Sequence, residues 1–281
     1  EVAVQGLDAL MAGFRQVANH ELLAPLMQHN FKWVADSQNK LAGWSAAWIS
    51  VGFLYLPVMF GLQRISSTFQ PFKLPLRYLW GIWNFVTAAF SAIGFIVVLP
   101  AFIDTLRNFN GTCSLPNKVV NMDSAVGQWT FYFIVSKMYE LGDSIFLAML
   151  QKEIGFLHWY HHITIFVFMY VGGLDWHPHM ISGVAWNYGV HAIMYFYYAC
   201  ACFNIRWPRP LAQSVTTLQI TQMFCQCILA VWSATACGWN STGHYSGLAM
   251  YAVYLVLFLD FFFGKYTRPA KGGKHAKAKT H

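Results

Sequence analysis

Charged residues are scarce in this sequence, at 10% of 281 residues, whereas hydrophobic residues make up 57%. Soluble domains carry about 25% charged residues. This balance excludes an ordinary soluble domain and favours a polytopic membrane protein. The formal net charge is +7, and residues 265–281 hold six lysines and arginines without one acidic residue. Basic charge of this kind predicts contact with lipid headgroups or phosphates, or simply orientation in the membrane, and not contact with DNA.

Other common patterns are missing as well. The six cysteines show no C-x-x-C spacing, so we expect no structural zinc site. The sequence has no internal repeat of about 20–50 residues, which favours a single domain. Residues 1–42 contain neither a long apolar run nor the leader and cleavage site of a signal peptide. We expect this segment to form a partly helical arm outside the membrane.

Apolar runs about 20 residues long identify candidate membrane helices. The sequence has seven of them, which predicts an all-α bundle of seven transmembrane helices in residues 43–264. The connections between them are mostly short, so we expect one helical domain followed by the basic tail, 265–281. The predicted spans are 44–63, 80–103, 126–150, 157–174, 181–203, 213–236 and 245–264.

Lysine and arginine are unevenly distributed between the two sides of these spans. Twelve of the 18 lie in the tail and in the connections on its side, which predicts a cytosolic C-terminus and a lumenal N-terminus. The sequons at Asn110 and Asn240 fall on the lumenal side and are predicted glycosylation sites. Cys113 and Cys237 each lie three residues from a sequon asparagine. We predict a disulfide between them, with two free thiols as the alternative. The remaining cysteines are predicted to be small packing residues: Cys200, Cys202, Cys225 and Cys227.

Four consecutive spans carry polar side chains where lipid would be expected. The sets are Lys137, Glu140, Asp143 and Ser144 in the third span, His158, His161 and His162 in the fourth, Asn187, His191, Met194 and Tyr195 in the fifth, and Thr216, Gln219, Gln222 and Gln226 in the sixth. Their spacing places each set on one helix face. Because lipid leaves such groups unsatisfied, we expect them to face one interior chamber. An ion-pair network in the third span and interhelical hydrogen bonding by the glutamines are the alternatives.

The histidine cluster in F-L-H-W-Y-H-H is compatible with two kinds of chemistry. A metal would suit a membrane desaturase or hydroxylase, but a di-iron site needs many ligands from several helices, and the sequence has one histidine box. A single zinc ion held by three histidines and one acid also stays open. The other chemistry is acyl transfer, because an imidazole acts as base or nucleophile near neutral pH and can carry an acyl group. We favour acyl transfer without a metal. A seven-span receptor or transporter is a third class with this topology.

Five segments in order carry a family resemblance: FQPFKLPLRYLWGIWNFVTAAFS, SKMYELGDSIF, FLHWYHHIT, NYGVHAIMYFYYA and TTLQITQM. In these the chain resembles the ELO family of very-long-chain fatty acid elongases, the 3-ketoacyl-CoA synthases of the endoplasmic reticulum. It departs from the family pattern at Ser144, where a threonine is usual, and at QKEIG, where a basic run is usual. The motifs HWYHH and NYGVHA are more similar to those of the branch that elongates saturated and monounsaturated chains than to those of the polyunsaturated branch.

The resemblance implies a reaction, a location and a set of partners. The reaction is the condensation of long-chain acyl-CoA with malonyl-CoA to 3-ketoacyl-CoA, carbon dioxide and CoA, without a cofactor. The location is the endoplasmic reticulum membrane, and the tail KAKTH resembles a dilysine signal for return to that compartment. The partners are membrane lipid and the ketoacyl reductase, dehydratase and enoyl reductase of the same cycle, and we leave a homo-oligomer open.

We assign roles on this basis. His161 is expected to accept the acyl group or to act as base, and His191 to be the second imidazole, which acts on the malonyl group. The residues expected to orient these histidines or set the local charge are His158, His162, Lys137, Glu140 and Asp143. Those expected to bind substrate are Asn187, Tyr195, Gln219 and Gln222, and the cations expected at the CoA phosphates are Lys73, Arg77, Lys152, Arg206, Arg209 and Lys265. For these cations, membrane orientation alone is the alternative.

Overall fold

The computed structural model describes residues 2–18, 20, 23, 26, 31–66, 68, 72–107, 121–174, 180–238 and 241–267. All regular structure in these ranges is helical. The helices are α1 Val2–Ala18, α2 Asn39–Gly43 after a π-helical turn at Val34–Gln38, α3 Ser45–Ile65, α4 Lys73–Arg107, α5 Ala125–Glu140, α6 Gly142–Met149, α7 Phe156–Leu174, α8 Met180–Cys202, α9 Arg209–Cys237 and α10 Thr242–Tyr266.

Six of the seven predicted spans each correspond to one helix, from α3 to α10. The second is longer than predicted, since α4 runs from Lys73 to Arg107. The third was expected to be continuous over 126–150, and this is wrong. The helix is interrupted at Leu141, whose carbonyl accepts a hydrogen bond from the backbone N–H of Ser144 at 3.2 Å, three residues on instead of four. The residues expected on one helix face therefore divide between α5 and α6.

Membrane-spanning character is clearest in part of the bundle. Among the described residues, α3, α4, α9 and α10 are long and apolar enough to cross a membrane. Helices α7 and α8, which carry the histidines and asparagine predicted to face inwards, are not among these four. Helices α5 and α6 are short because of the interruption between them. The protein is a multi-pass helical membrane protein.

Helices α4 and α8 form the most extensive helix pair. Aromatic rings and glycines interlock there, because a Cβ on Gly94 would lie 2.5 Å from the Tyr188 ring and one on Gly189 would lie 3.0 Å from the Phe95 ring. Close approach over small residues supplies packing energy where lipid gives no hydrophobic driving force between helices. The Tyr188 hydroxyl then donates to the Trp129 carbonyl at 2.8 Å and joins α8 to α5.

The remaining contacts place α5 and α6 among the other helices. Helix α5 packs against α4, α7 and α8, and α6 packs against α3 and α4. Trp48 holds α3 on α7, because its ring stacks on Phe166 at 4.7 Å and its indole N–H donates to the Phe166 carbonyl at 3.1 Å. Helices α8, α9 and α10 continue the bundle, and α10 returns to α7. The helix with the buried charges therefore lies inside the bundle.

The N-terminal arm is attached to the bundle by ion pairs. Arg15 on α1 pairs with Asp104 at 2.7 Å, and Arg107 pairs back with Asp8 on α1 at 2.7 Å. A second attachment precedes α5, where the Asp123 carboxylate accepts from the Trp33 backbone N–H at 2.8 Å and from the Lys32 ammonium at 3.2 Å. These two donors lower the pKa of Asp123.

Several predictions from the sequence fall on other parts of the chain. Asn110, Cys113, Asn240 and the basic tail beyond residue 267 lie outside the described residues. The glycosylation sites, the disulfide of Cys113 with Cys237 and the dilysine signal therefore stay predictions. Cys200 and Cys202 of α8 and Cys225 and Cys227 of α9 are free thiols, and the two on α8 are buried.

We expect Gly94→Ala to destabilise the bundle. The added methyl group would overlap the buried Tyr188 ring, and overpacking of this kind costs about 1–3 kcal/mol. Thermal unfolding of the purified protein in detergent would show a lower apparent Tm. Gly61→Ala is the matched control, because nothing lies within 4 Å of that position and alanine is the better helix residue. An unchanged Tm for Gly94→Ala would contradict this packing.

Candidate active site

A cavity of about 540 Å³ lies inside the bundle, and we call it the chamber. It is bounded by residues of α4 to α10. The residues from the four polar sets that line it are Glu140, Asp143, His158, His161, His162, Asn187, His191, Met194, Tyr195, Thr216, Gln219 and Gln222. The structure therefore brings the four sets together around one interior space.

The wall of the chamber is held by a buried ion pair. The Lys137 ammonium donates to Glu140 Oε1 at 2.7 Å and to Asn187 Oδ1 at 2.9 Å. Because the Asn187 oxygen accepts from lysine, its amide nitrogen faces His191 Nε2, at 3.2 Å. His191 Nδ1 lies 3.7 Å from Glu140 Oε1. Lys137 is not among the residues that line the chamber, so it supports the wall from behind.

This arrangement defines the state of His191. A lone pair on Nε2 accepts the Asn187 amide proton, and Nδ1 then carries the proton that points towards Glu140. The ion-pair network proposed as an alternative for the third span is present, but it continues through Asn187 to a histidine of the chamber. The charged residues therefore belong to the same site.

Asp143 anchors a second group of side chains. Its carboxylate accepts from the Trp83 indole N–H at 2.8 Å and from the Tyr195 hydroxyl at 2.6 Å, which joins α6 to α4 and α8. Gly142 makes room for Trp83, since a Cβ there would lie 2.7 Å from the indole ring. Trp83 was not among the predicted site residues. The tryptophan within GIWNFV was visible in the sequence, but nothing there showed that it meets Asp143.

The three histidines of α7 have different surroundings. His158 Nε2 lies 2.9 Å from the Ser144 hydroxyl, and its ring centre is 4.4 Å from that of His162. His161 packs against Tyr254 of α10 with ring centres 4.7 Å apart, and the Tyr254 hydroxyl donates to the His161 carbonyl at 3.2 Å. The Nδ1 atoms of His161 and His162 are buried without a hydrogen-bond partner among the described residues.

Helix α10 contributes aromatic side chains to the site, which the sequence did not indicate. Tyr254 contacts His161, and Phe258 and Phe261 line the chamber. Their helix shows an apolar and aromatic pattern without a polar set, so no signal in it distinguished a chamber wall from a lipid-facing surface. Cys202 of α8, which was expected only to pack, also lines the chamber.

The glutamines of α9 divide into two groups. Gln219 and Gln222 line the chamber, and the Gln219 amide lies 3.1 Å from the Met194 sulfur. Gln226 is fully buried and donates to Ser182 of α8 at 3.1 Å. The alternative of interhelical hydrogen bonding therefore describes Gln226, one turn beyond the site.

Three of the six expected cations line the chamber, namely Arg77, Lys152 and Lys265. Lys152 lies over the Trp80 ring at 4.6 Å, and Arg77 donates to the Ala201 carbonyl at 3.1 Å. Lys73, Arg206 and Arg209 are not among the lining residues, and Arg209 instead donates to the Tyr266 carbonyl at 3.2 Å. Charge counting assigns a residue to a side of the membrane but not to the rim of one cavity, so CoA binding by these three stays a prediction.

A smaller cavity of about 40 Å³ adjoins the chamber, and we call it the recess. The two share four lining residues, His161, Asn187, Gln222 and Met223. The other residues of the recess are mainly apolar and include Phe133, Ile165, Phe168, Met169, Val184 and Tyr251. Phe133 belongs to α5 and Tyr251 to α10. The others come from the later part of α7 and the beginning of α8, at the ends of these helices that are remote from Lys152 and Ala201. His161 therefore lies between a cationic end and an apolar end.

The histidines do not form an evident metal centre. Within the described ranges, no group of three or more histidine, cysteine, aspartate and glutamate side chains is placed to hold a metal ion. Instead, the Ser144 hydroxyl and the Asn187 amide make hydrogen bonds with the imidazoles of His158 and His191, and the Tyr254 ring packs against that of His161.

The fold and the site define a multi-pass helical membrane protein with a histidine-lined chamber between three cations and an apolar recess. Residues 42–274 match the GNS1/SUR4 (ELO) family, and the chain belongs to this family. The resemblance seen in five sequence segments is therefore confirmed. The similarity to the saturated and monounsaturated branch is not tested by this match and stays a prediction.

Curated relatives are similar over most of their length. Very long chain fatty acid elongase 6 of Drosophila melanogaster is 32% identical over 263 residues, 85% of this chain and 81% of the relative. Long chain fatty acid elongase 1 of Caenorhabditis elegans is 33% identical over 80% of both chains. Fatty acid elongase 2 of Trypanosoma cruzi is 36% identical over 70% of this chain and 75% of the relative. No solved structure matches the chain.

We expect Lys137→Met to destabilise the protein strongly, because it leaves the Glu140 carboxylate buried without its cation. Loss of one partner of a buried pair costs about 3–5 kcal/mol. The double variant Lys137→Met/Glu140→Gln removes both charges and should recover part of this loss. The free energy of unfolding in mixed micelles measures both effects.

The exposed pair of Arg15 and Asp104 provides the control for this cycle. Arg15→Gln should change stability little, because exposed ion pairs contribute little. Two results would contradict the structural role of the ion pair. One is a Lys137→Met variant as stable as the wild-type protein. The other is a double variant whose loss of stability equals the sum of the losses in Lys137→Met and Glu140→Gln.

Proposed function

We propose that this protein catalyses the condensation step of fatty acid elongation, in which long-chain acyl-CoA and malonyl-CoA give 3-ketoacyl-CoA, carbon dioxide and CoA. The observation that carries this proposal is the position of His161, at the junction of a polar chamber and an apolar recess. Membership of the ELO family and relatives named as fatty acid elongases support the same reaction.

The chamber suits a CoA thioester by size and charge. Its volume of about 540 Å³ is within the usual range of about 300–1,000 Å³ for ligand sites. Arg77, Lys152 and Lys265 provide cations for the phosphates of CoA. The acyl chain extends from His161 into the recess. Because the recess is smaller than a long acyl chain, side chains such as Phe168 and Met169 move when the substrate binds.

His161 is the group that reacts with the acyl thioester or serves as base for direct condensation. In the first case its free ring nitrogen attacks the thioester carbonyl, the carbon–sulfur bond breaks, and the CoA thiolate takes the proton that the imidazole releases. Malonyl-CoA then loses carbon dioxide, and the electron pair of the broken bond forms an enolate. The enolate carbon attacks the acyl carbonyl, and the departing imidazole takes up one proton.

The other polar residues act on the malonyl group and on charge. His191 is the second imidazole, and the malonyl group displaces the Asn187 amide to reach its Nε2. Asn187, Gln219 and Gln222 donate hydrogen bonds to the enolate oxygen. Tyr195 lines the substrate site, and Asp143 fixes its hydroxyl. Lys137 and Glu140 balance the charge, while His158 and His162 orient the reacting groups. No metal or cofactor takes part in this scheme.

The membrane arrangement belongs to the same proposal. Seven spans are formed by α3, α4, the α5–α6 pair, α7, α8, α9 and α10, with a lumenal N-terminus and a cytosolic C-terminus. The charge distribution supports this orientation, since Lys152 and Lys265 lie at one end of the chamber. The protein resides in the endoplasmic reticulum, is glycosylated at Asn110 and Asn240, and carries a disulfide between Cys113 and Cys237. It works with the reductases and dehydratase of the elongation cycle, and oligomerisation of the chain is part of the proposal.

The test is a product profile from purified protein, a panel of acyl-CoAs and labelled malonyl-CoA. We expect labelled 3-ketoacyl-CoA that is two carbons longer than each accepted substrate, with saturated and monounsaturated chains preferred. A metal chelator should leave the rate unchanged, and metal analysis should show no stoichiometric iron or zinc. Folded protein that makes no acyl-CoA-dependent product, or that needs bound iron, would reject the proposal.

A further inference from the structure

A pair of hydroxyl groups lies behind His158 and has no part in the scheme above. The Tyr55 hydroxyl of α3 lies 2.7 Å from Ser144 Oγ of α6, and Ser144 Oγ lies 2.9 Å from His158 Nε2 of α7. Tyr55 and Ser144 are both buried. The pair thus connects a helix without any candidate site residue to a histidine of the chamber.

The direction of the two hydrogen bonds follows from the donors available. The contact with Ser144 is the one hydrogen bond that the Tyr55 hydroxyl makes among the described residues. A buried hydroxyl proton without an acceptor is costly, so Tyr55 donates to Ser144. Ser144 has a single hydroxyl proton, and it donates this proton to His158 Nε2. His158 Nε2 is therefore an acceptor, and the neutral ring carries its proton on Nδ1.

We propose that Tyr55 and Ser144 hold His158 in the Nδ1–H form, so that it donates a hydrogen bond into the chamber instead of acting as a base. This inference rests on the proposed condensation, in which negative charge develops on the thioester carbonyl oxygen. A fixed donor at that oxygen stabilises the transition state without reorganisation. His158 lines the chamber and its ring lies beside that of His162.

The proposal divides the tasks among the histidines. His161, with Nδ1 buried and without a partner among the described residues, is the group that reacts. His158 is the donor, and Tyr55 and Ser144 are positioning residues that act through it. A threonine in place of Ser144 has the same single hydroxyl proton, so it can make the same two hydrogen bonds.

Kinetics of purified full-length variants test the pair. Ser144→Ala should lower kcat by about 10- to 100-fold, less than the roughly 10²- to 10³-fold typical for loss of an oxyanion donor, and leave both KM values nearly unchanged. Ser144→Thr should keep the wild-type kcat. Tyr55→Phe, which frees the Ser144 hydroxyl to rotate, should also lower kcat, but by a smaller factor than Ser144→Ala. Tyr188→Phe is the matched control, because it loses a buried hydroxyl that bonds the Trp129 carbonyl instead of a chamber residue.

Nitrogen-15 NMR of histidine-labelled protein in liposomes tests the tautomer directly. His158→Gln identifies the His158 signals by their loss. The wild-type protein should show a neutral His158 with the proton on Nδ1, and Ser144→Ala should shift the population towards Nε2–H. An Nε2–H form in the wild-type protein would overturn the proposal, as would Ser144→Ala with unchanged kcat and tautomer.

The two measurements separate this inference from the proposed function. A wild-type protein without condensation activity would reject the proposed function and, with it, the donor role of His158. An active wild-type protein whose Ser144→Ala and Tyr55→Phe variants keep full kcat would reject only the role of the hydroxyl pair.

Discussion

The Lys137–Glu140 ion pair is the interaction on which the arrangement of this site depends. Both side chains are almost fully buried in a bundle whose outside faces lipid, and the ion pair distance is 2.7 Å. Charges in such a place are tolerated only when every donor and acceptor is satisfied. Ser136, Asn187 and His191 complete the set, and Asn187 and His191 both come from α8. The hydrogen bonds that stabilise the buried pair therefore join α5 to α8 and fix the orientation of Asn187 and His191 in the chamber wall.

The interruption at Leu141 makes a second set of contacts possible. A continuous helix would turn Asp143 and Glu140 in related directions, whereas the break lets Asp143 meet Trp83 and Tyr195 while Glu140 remains with Lys137. Glu140 thus connects α5 to α8, and Asp143 connects α6 to α4 and α8. The chamber between them is lined by hydrogen-bonded groups, and the apolar recess continues from His161. One bundle in this way encloses both a polar cavity and an apolar one.

Periodicity and polarity in the sequence predicted the helical segments and the polar sets, because lipid leaves polar side chains without hydrogen-bond partners. The predicted bounds agree with the observed helix ends within a few residues in most cases. The inward position of Glu140, His161, Asn187 and Gln222 followed from their polarity alone. The packing of Trp83 over Gly142, next to the break at Leu141, is a contact between distant parts of the chain, which a local pattern does not show. Tyr55, Trp83 and Tyr254 are aromatic, and composition gives the same signal for an aromatic residue that contacts the site and for one that faces lipid. The cations illustrate the same limit of sequence patterns. Counting lysines and arginines predicted the side of the membrane on which Lys152 and Arg206 lie, but only the fold shows that Lys152 lines the chamber and Arg206 does not.

The central claim is that an imidazole of the chamber, His161, carries out the condensation, and acyl-CoA-dependent release of carbon dioxide from malonyl-CoA measures this most directly. In folded His161→Ala, the rate of carbon dioxide release should fall by about 10²-fold or more, as expected when a nucleophile or base is removed. Cys202→Ala, which removes a thiol on the chamber wall, should keep it. Release at the wild-type rate by His161→Ala, or its loss in Cys202→Ala, would contradict the account.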